Sequence, residues 1–265
     1  MHQQYPYVYS IMKLQHLILT RFNLQYEPDC HIGIQPEWLE DRCRLFETYC
    51  LPSLQRQTCQ NYTWIIYVDS ATPEPYLSRI KGYSSLLPQL KVILSPYRED
   101  INTLYHETGI HYAQGYDYLL TSRIDNDDRF SEDYVERVQQ IAQEGFEGVI
   151  SFPNGRQNFV NDNKSYKITY IPNHYLSRVE RSGFYTVLGF DHRDAKKYAL
   201  KVVKTDHPMW EEIVHGNNIA NQYTPAFRHK IESFSDFTDL SHRYLSLWMR
   251  RVQKMCRIIT GKQKQ

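Results

Sequence analysis

Apolar residues along this chain recur in two rhythms, and the switching between them sets out an α/β order. Residues 16–20 (HLILT) form a short apolar run that predicts a first strand. Pro36 then opens a helical stretch that gathers Trp38, Leu39, Leu45, Phe46, Tyr49 and Cys50 on one side. Residues 64–68 (WIIYV) are a nearly continuous apolar run ending at Asp69, and a helix begins at Pro75. Residues 90–94 (LKVIL) predict a third strand, after which Asn102 is placed to cap a helix running to about Ala113. Residues 118–124 predict a fourth strand. Ser131 is expected to cap the next helix, with Glu132 and Asp133 at the positive end of its dipole and Val135, Val138, Ile141 and Ala142 as its inner stripe. Residues 148–152 (GVISF) predict a fifth strand.

Strands that alternate with helices imply an α/β domain with a mostly parallel central sheet and helices on both faces. Beyond residue 153 the alternation fades. Residues 167–171 and 185–190 are expected as further strands, added to the same sheet in a mixed C-terminal part. The division predicted is a single domain over 1–240 and a basic amphipathic helix and tail over 241–265.

Composition narrows the class. With 41% hydrophobic and 23% charged residues, the 265-residue chain matches a soluble globular protein. A net charge of +1 gives no overall field for nucleic acid. Tyrosine is abundant at 22 copies, and a ring with a polar tip suits clefts that hold sugars and bases. The five cysteines form no paired CxxC, which fits a reducing, cytoplasmic setting. The N-terminal stretch has no apolar core like that of a signal peptide, since Pro6 and Ser10 break it, and no run of 18 apolar residues is present.

The chemistry concentrates in TSRIDNDD, residues 121–128, at the end of the fourth strand. In an open α/β sheet, ligands bind outside the carboxyl ends of the strands. Asp125, Asp127 and Asp128 lie within four residues of one another. Two unit charges about 4 Å apart repel by about 4 kcal/mol at an effective dielectric near 20, so a divalent cation is the natural partner for such a cluster. Oxygen ligands suit Mg²⁺ or Mn²⁺. An EF-hand is excluded, because Phe130 stands where that loop needs glycine. No Walker A motif and no GxGxxG is present. Other strand ends face the same edge and offer partners for a base and a diphosphate: Thr20, Arg21, Phe22 and Asn23, then Asp69 and Ser70, then Ser95 and Arg98. A late polar cluster, residues 205–218 (TDHPMWEEIVHGNN), adds Asp206, His207, Glu211, Glu212 and His215. The spacing of Glu211 and His215 would put both on one face of a helix.

Taken in order, HLILTRFN (16–23), FETYCLPSLQRQT (46–58), WIIYVD (64–69), TSRIDNDD (121–128) and WEEIVHGNN (210–218) resemble the rhamnosyltransferase family of bacterial glycosyltransferases, within the wider GT-A group, over about residues 14–222. The resemblance implies a GT-A-like nucleotide-binding fold and transfer of a sugar from a nucleotide-diphosphate donor to a saccharide or lipid-linked acceptor. It implies Mn²⁺ or Mg²⁺ held by Asp125, Asp127 and Asp128, with His215 as a further ligand, and a pyrimidine base met by Asp69. Thr20, Arg21, Asn23, Arg98 and Arg123 complete the expected donor site. For an inverting reaction one carboxylate takes the acceptor proton, and Asp206, Glu211 and Glu212 are the candidates, unranked. Rhamnose is the sugar suggested by the family's name. The rivals are a nucleotidyltransferase, which lacks its glycine-rich basic loop here because TRFNLQYEPD stands in that place, and a non-catalytic nucleotide- or sugar-binding protein.

Seven basic residues follow Asp239 and no acidic residue does. At 100° per residue, Leu245, Trp248, Val252, Met255 and Ile259 share one stripe, with Arg243, Arg250, Arg251, Lys254 and Arg257 opposite. Such a helix over 243–259 docks on the body or lies on an anionic membrane. The second option implies peripheral attachment at the inner face of the cytoplasmic membrane.

Overall fold

Each of the five predicted apolar runs falls inside or across a strand of the computed structural model, which describes residues 12–216 apart from Tyr26, Asp162 and Pro172. The expected tail over 241–265 lies outside the described residues. In β1 (Leu14–Arg21), residues 16–20 are all buried, as a strand covered on both faces requires. The chain continues through α1 (Pro36–Leu45), a π-helical turn (Phe46–Cys50) and α2 (Leu51–Gln55). Then come β2 (Thr63–Asp69), α3 (Glu74–Leu86), β3 (Leu90–Ser95), α4 (Ile101–Ala113) and β4 (Tyr118–Arg123). After a two-residue β5 (Arg129–Phe130) follow α5 (Tyr134–Gln143), β6 (Gly148–Ser151), β7 (Asn154–Phe159), β8 (Lys164–Thr169) and β9 (Leu176–Glu180). Two 3-10 turns (Val187–Gly189 and His192–Lys197) precede β10 (Leu200–Val202) and β11 (Trp210–Val214).

Seven strands make the main sheet, in the order β10-β6-β9-β4-β1-β2-β3. All its pairings are parallel except those of β9, which runs antiparallel between β4 and β6. The α/β architecture with helices on both faces is therefore present. Side chains alternate across the sheet into two cores. Ile18, Trp64, Ile66 and Leu120 pack with α2, α3 and α5, and Leu17, Leu19, Ile65 and Leu119 pack with α4 and the Val187–Gly189 turn.

Four expectations are corrected. The strand predicted at 167–171 is β8, and it belongs to a second, four-stranded sheet ordered β5-β11-β7-β8 instead of extending the first. Residues 185–190 form no strand: Thr186 has φ 64° and the chain turns in a 3-10 helix, a backbone geometry that cannot join a ladder. Asp100, not Asn102, caps α4, its carboxylate accepting from the Asn102 N–H at 3.1 Å. Asp133 occupies the N-cap of α5, and the Ser131 hydroxyl donates to that aspartate at 2.9 Å instead of capping the helix.

The second sheet docks on the first through Trp210. Its indole N–H donates to the Phe152 carbonyl at 2.8 Å, and its ring lies over Gly155 so closely that a Cβ there would come within 2.4 Å of it. The missing side chain at 155 makes room for the ring. This docking brings β11 to the carboxyl edge of the main sheet.

Candidate metal and donor site

The carboxyl ends of β1, β2 and β4 open on one cleft, lined among others by Arg21, Asn23, Trp38, Arg42, Asp69 and the loop Asp125–Asp128. The loop is pinned first by its amide: Asn126 donates to the Phe22 carbonyl at 2.7 Å, tying the end of β4 to the end of β1.

The three carboxylates have different surroundings. Asp125 receives two parallel hydrogen bonds from Arg123, each 3.1 Å. Burial alone would raise its pKa, but Arg123, His174 and Arg21 outweigh burial and hold the carboxyl well below the usual carboxylate range. Asp127 meets Arg42 Nη1 at 2.5 Å and His215 Nε2 at 3.1 Å, and these partners likewise outweigh burial and lower its pKa. Asp128 accepts from the Tyr175 hydroxyl at 2.7 Å and the Ile213 N–H at 2.9 Å. Burial, then the charges of Asp127 and Asp125, push its pKa well up.

One nitrogen completes a ligand-like group. His174 Nε2 stands 3.6 Å from Asp128 Oδ2 and 4.0 Å from Asp125 Oδ2. Ligand atoms of Asp125, Asp128 and His174 all lie within 4.8 Å of one another, the one such group among the described residues. Burial lowers the His174 pKa, which favours the neutral imidazole that a metal needs. Two carboxylate oxygens and one imidazole fit Mn²⁺, and Mg²⁺ less well because of the nitrogen.

The other expected donor residues separate. Arg21, Asn23 and Asp69 line the cleft. The Asn23 amide is spent on structure: it donates to the Gly33 carbonyl at 2.9 Å and the Thr72 hydroxyl at 2.8 Å, and accepts from the Asp69 N–H at 3.1 Å. Asp69 Oδ1 accepts from the Ala71 N–H at 2.7 Å. Thr20 does not reach the cleft; it is fully buried, and its hydroxyl accepts from the Trp64 indole at 2.9 Å. Arg98 turns instead to Glu107, 3.6 Å away on α4.

Among the late carboxylates, geometry favours one. Asp206 is 90% exposed and paired with His207. Glu211 pairs with Arg129 at 3.2 Å. Glu211 lies in β11 and His215 directly after it, so the helical spacing expected for the two is not realised. Glu212 is buried and hydrogen-bonded by Gln157 from the neighbouring β7. Burial raises its pKa to about 7, with His174 opposing and Asp128 adding to the shift.

Residues 23–227 match the family described as "Putative rhamnosyl transferase". The chain belongs to that family. Asp125, Asp127, Asp128, His174, Glu212 and Asp69 all fall within the matched span. Among solved structures, Staphylococcus aureus TarS 1-349 in complex with UDP-GlcNAc aligns at 13% identity and a TM-score of 0.48, covering 80% of this chain and 62% of that one. The UDP complex of the same fragment aligns at 14% identity and 0.42, covering 85% and 73%. The mannosyltransferase PcManGT from Pyrobaculum calidifontis, in complex with GDP-Man and Mn²⁺, aligns at 13% and 0.35, covering 52% and 34%. This chain thus spans 62% of the length of the first of these. No curated protein matches the sequence.

Sequence reasoning missed His174, Arg42 and Tyr175. His174 sits alone in a loop with no ligand spacing around it. Arg42 follows Trp38 by one helical turn, and its guanidinium lies 5.0 Å from that ring; the helix pattern showed Trp38 as core and gave Arg42 no role.

Proposed function

We propose that this chain is a metal-dependent glycosyltransferase moving a sugar from a nucleotide-diphosphate donor to a hydroxyl of a saccharide or lipid-linked acceptor. The observation that carries the reading is the Asp125, Asp128 and His174 group, set at the sheet edge beside a cleft floored by Asp69. Membership of a glycosyltransferase family supports the same reaction class, and the family's description suggests rhamnose as the sugar.

Asp125, Asp128 and His174 would hold Mn²⁺ or Mg²⁺, which supplies positive charge opposite a departing diphosphate. Asp69 accepts the ring N–H of a pyrimidine base. Arg21 and Arg123 add fixed positive charge at the cleft. Glu212, with a pKa of about 7, accepts the proton of the acceptor hydroxyl as the sugar is transferred. No helix among the described residues is long and apolar enough to cross a membrane. Contact with a lipid-linked acceptor would then fall to the basic stripe expected over 243–259.

The test is thermal unfolding with uridine, thymidine and guanosine diphosphates, with and without Mn²⁺, followed by turnover of nucleotide sugars. A ligand at 100 times its dissociation constant adds about 2.7 kcal/mol of stability. Metal-dependent stabilisation with slow hydrolysis of a nucleotide sugar supports the enzyme. Stabilisation without turnover of any nucleotide sugar points to a binding protein, and release of pyrophosphate from a nucleoside triphosphate points to a nucleotidyltransferase.

A further inference from the structure

The acidic loop carries three carboxylates, yet only two of them join His174 in the ligand-like group. The third, Asp127, is engaged by a guanidinium, with His215 Nε2 3.1 Å from the same carboxylate oxygen. Arg42 is 6% exposed and held at three points: Asp127 Oδ2 at 2.5 Å, Asn126 Oδ1 at 3.2 Å, and the Trp38 ring at 5.0 Å from its Cζ. A side chain fixed in this way cannot swing off to leave Asp127 free.

The helix that carries Arg42 is itself shaped to meet the loop. Eight residues separate Arg42 from Cys50, which a regular α-helix would place about 80° apart. The π-helical turn Phe46–Cys50 takes up one extra residue and reduces that to about 20°. Both side chains consequently reach the same loop, Arg42 at Asp127 and the Cys50 thiol at the Asp125 carbonyl, 3.5 Å away.

We propose that Arg42 is a positioning residue which withdraws Asp127 from the donor set, so that the loop offers Asp125 and Asp128, with His174, to a single divalent ion. This rests on the reading that the site binds such an ion. The argument is electrostatic. A third free carboxylate would strengthen metal binding, and a free guanidinium would oppose it; paired, the two nearly cancel as seen by the ion. The pair also fixes the loop through Asn126, so the two remaining carboxylates keep their spacing.

The experiment is a double-mutant cycle on the full chain, with Mn²⁺ alone as the probe and calorimetry as the readout. Arg42→Met leaves Asp127 as a free carboxylate and is expected to tighten Mn²⁺ binding about tenfold, the size expected for one unit charge several ångströms from a divalent ion in a hydrated site. Asp127→Asn leaves Arg42 without its carboxylate partner and is expected to weaken binding by a similar factor. The double variant removes both charges and returns to within about threefold of the wild type. A merely structural role for Arg42 would not reverse the sign of the effect. Were Asp127 itself a ligand, the double variant would still bind much more weakly than the wild type, and that result overturns the proposal. So does unchanged or weaker Mn²⁺ binding in a folded Arg42→Met. If that single variant does not fold, the comparison of the double variant with the wild type decides alone. Wild-type protein that takes up no Mn²⁺ overturns the functional reading as well, which separates the two failures.

Discussion

The Tyr175 hydroxyl donates to Asp128 at 2.7 Å while its ring stacks on Trp210, centroids 4.4 Å apart. One side chain therefore joins the acidic loop to the residue that docks the second sheet. Tyr175→Phe keeps the stack and deletes the donor. Asp128 is then left with fewer partners in a buried place, at a cost of about 1–3 kcal/mol. Urea unfolding of the metal-free protein should show that loss with an unchanged m-value.

Glu212 gives a pH dependence of opposite sign for stability and for activity. In the folded chain its carboxyl holds a proton up to about pH 7, against an ordinary value of 4.5. Between those limits the native state binds more protons than the unfolded one, so stability falls as pH rises, by at most about 3 kcal/mol. Activity should rise over the upper part of the same range, as the base loses its proton. Glu212→Gln flattens the stability slope and cuts turnover about 10²–10⁴-fold. Unfolding curves at pH 5 to 8 in metal-free buffer, with kcat profiles beside them, check both.

His16 acts at the acid end. It is buried between Gln139, 3.1 Å from Nδ1, and the Ser122 hydroxyl, 2.9 Å from Nε2, and burial lowers its pKa to about 3. The unfolded chain takes up that proton near pH 6.5, so stability is fully present above that value and is lost as pH falls toward 3. His16→Gln should reduce the acid sensitivity, measured as the shift in the urea midpoint between pH 7 and pH 4.

The role proposed for Asp69 is recognition of the base. Asp69→Ala should lower affinity for uridine or thymidine diphosphate by about 1.5–3 kcal/mol and leave guanosine diphosphate nearly unaffected. Calorimetry with the three diphosphates checks this, and equal losses for all would remove Asp69 from base recognition.

The basic stripe over 243–259 is tested by co-sedimentation with anionic vesicles at low and high salt. The full chain should bind at low salt and release at high salt, and a chain ending at Ser241 should not bind.

What the sequence made legible follows what each part of the fold needs from it. β1, β2 and β4 are covered on both faces, so their runs are apolar throughout and stand out. β9 was hidden because its polar residues are satisfied inside the protein: Ser177 bonds Ser122 at 2.6 Å, and Arg178 meets Glu180 at 3.0 Å. β11 was hidden for the same reason, since Glu212 is buried against Gln157. Three carboxylates in four residues announced the acidic loop. Its partners could not be read, because Arg42, His174 and His215 reach it from positions 85 residues before Asp127, 46 after Asp128 and 88 after Asp127.

Those separations bear on how the site comes into being during synthesis. Asp128 takes one of its hydrogen bonds from the backbone of β11, and Asp127 meets His215 just beyond that strand. A growing chain that has already folded its parallel strands still lacks these partners, and its acidic loop stays half-built. Only when the stretch around residue 215 has cleared the ribosome and Trp210 has seated over Gly155 does the loop acquire its final shape. The site is thus among the last parts of the described chain to be completed.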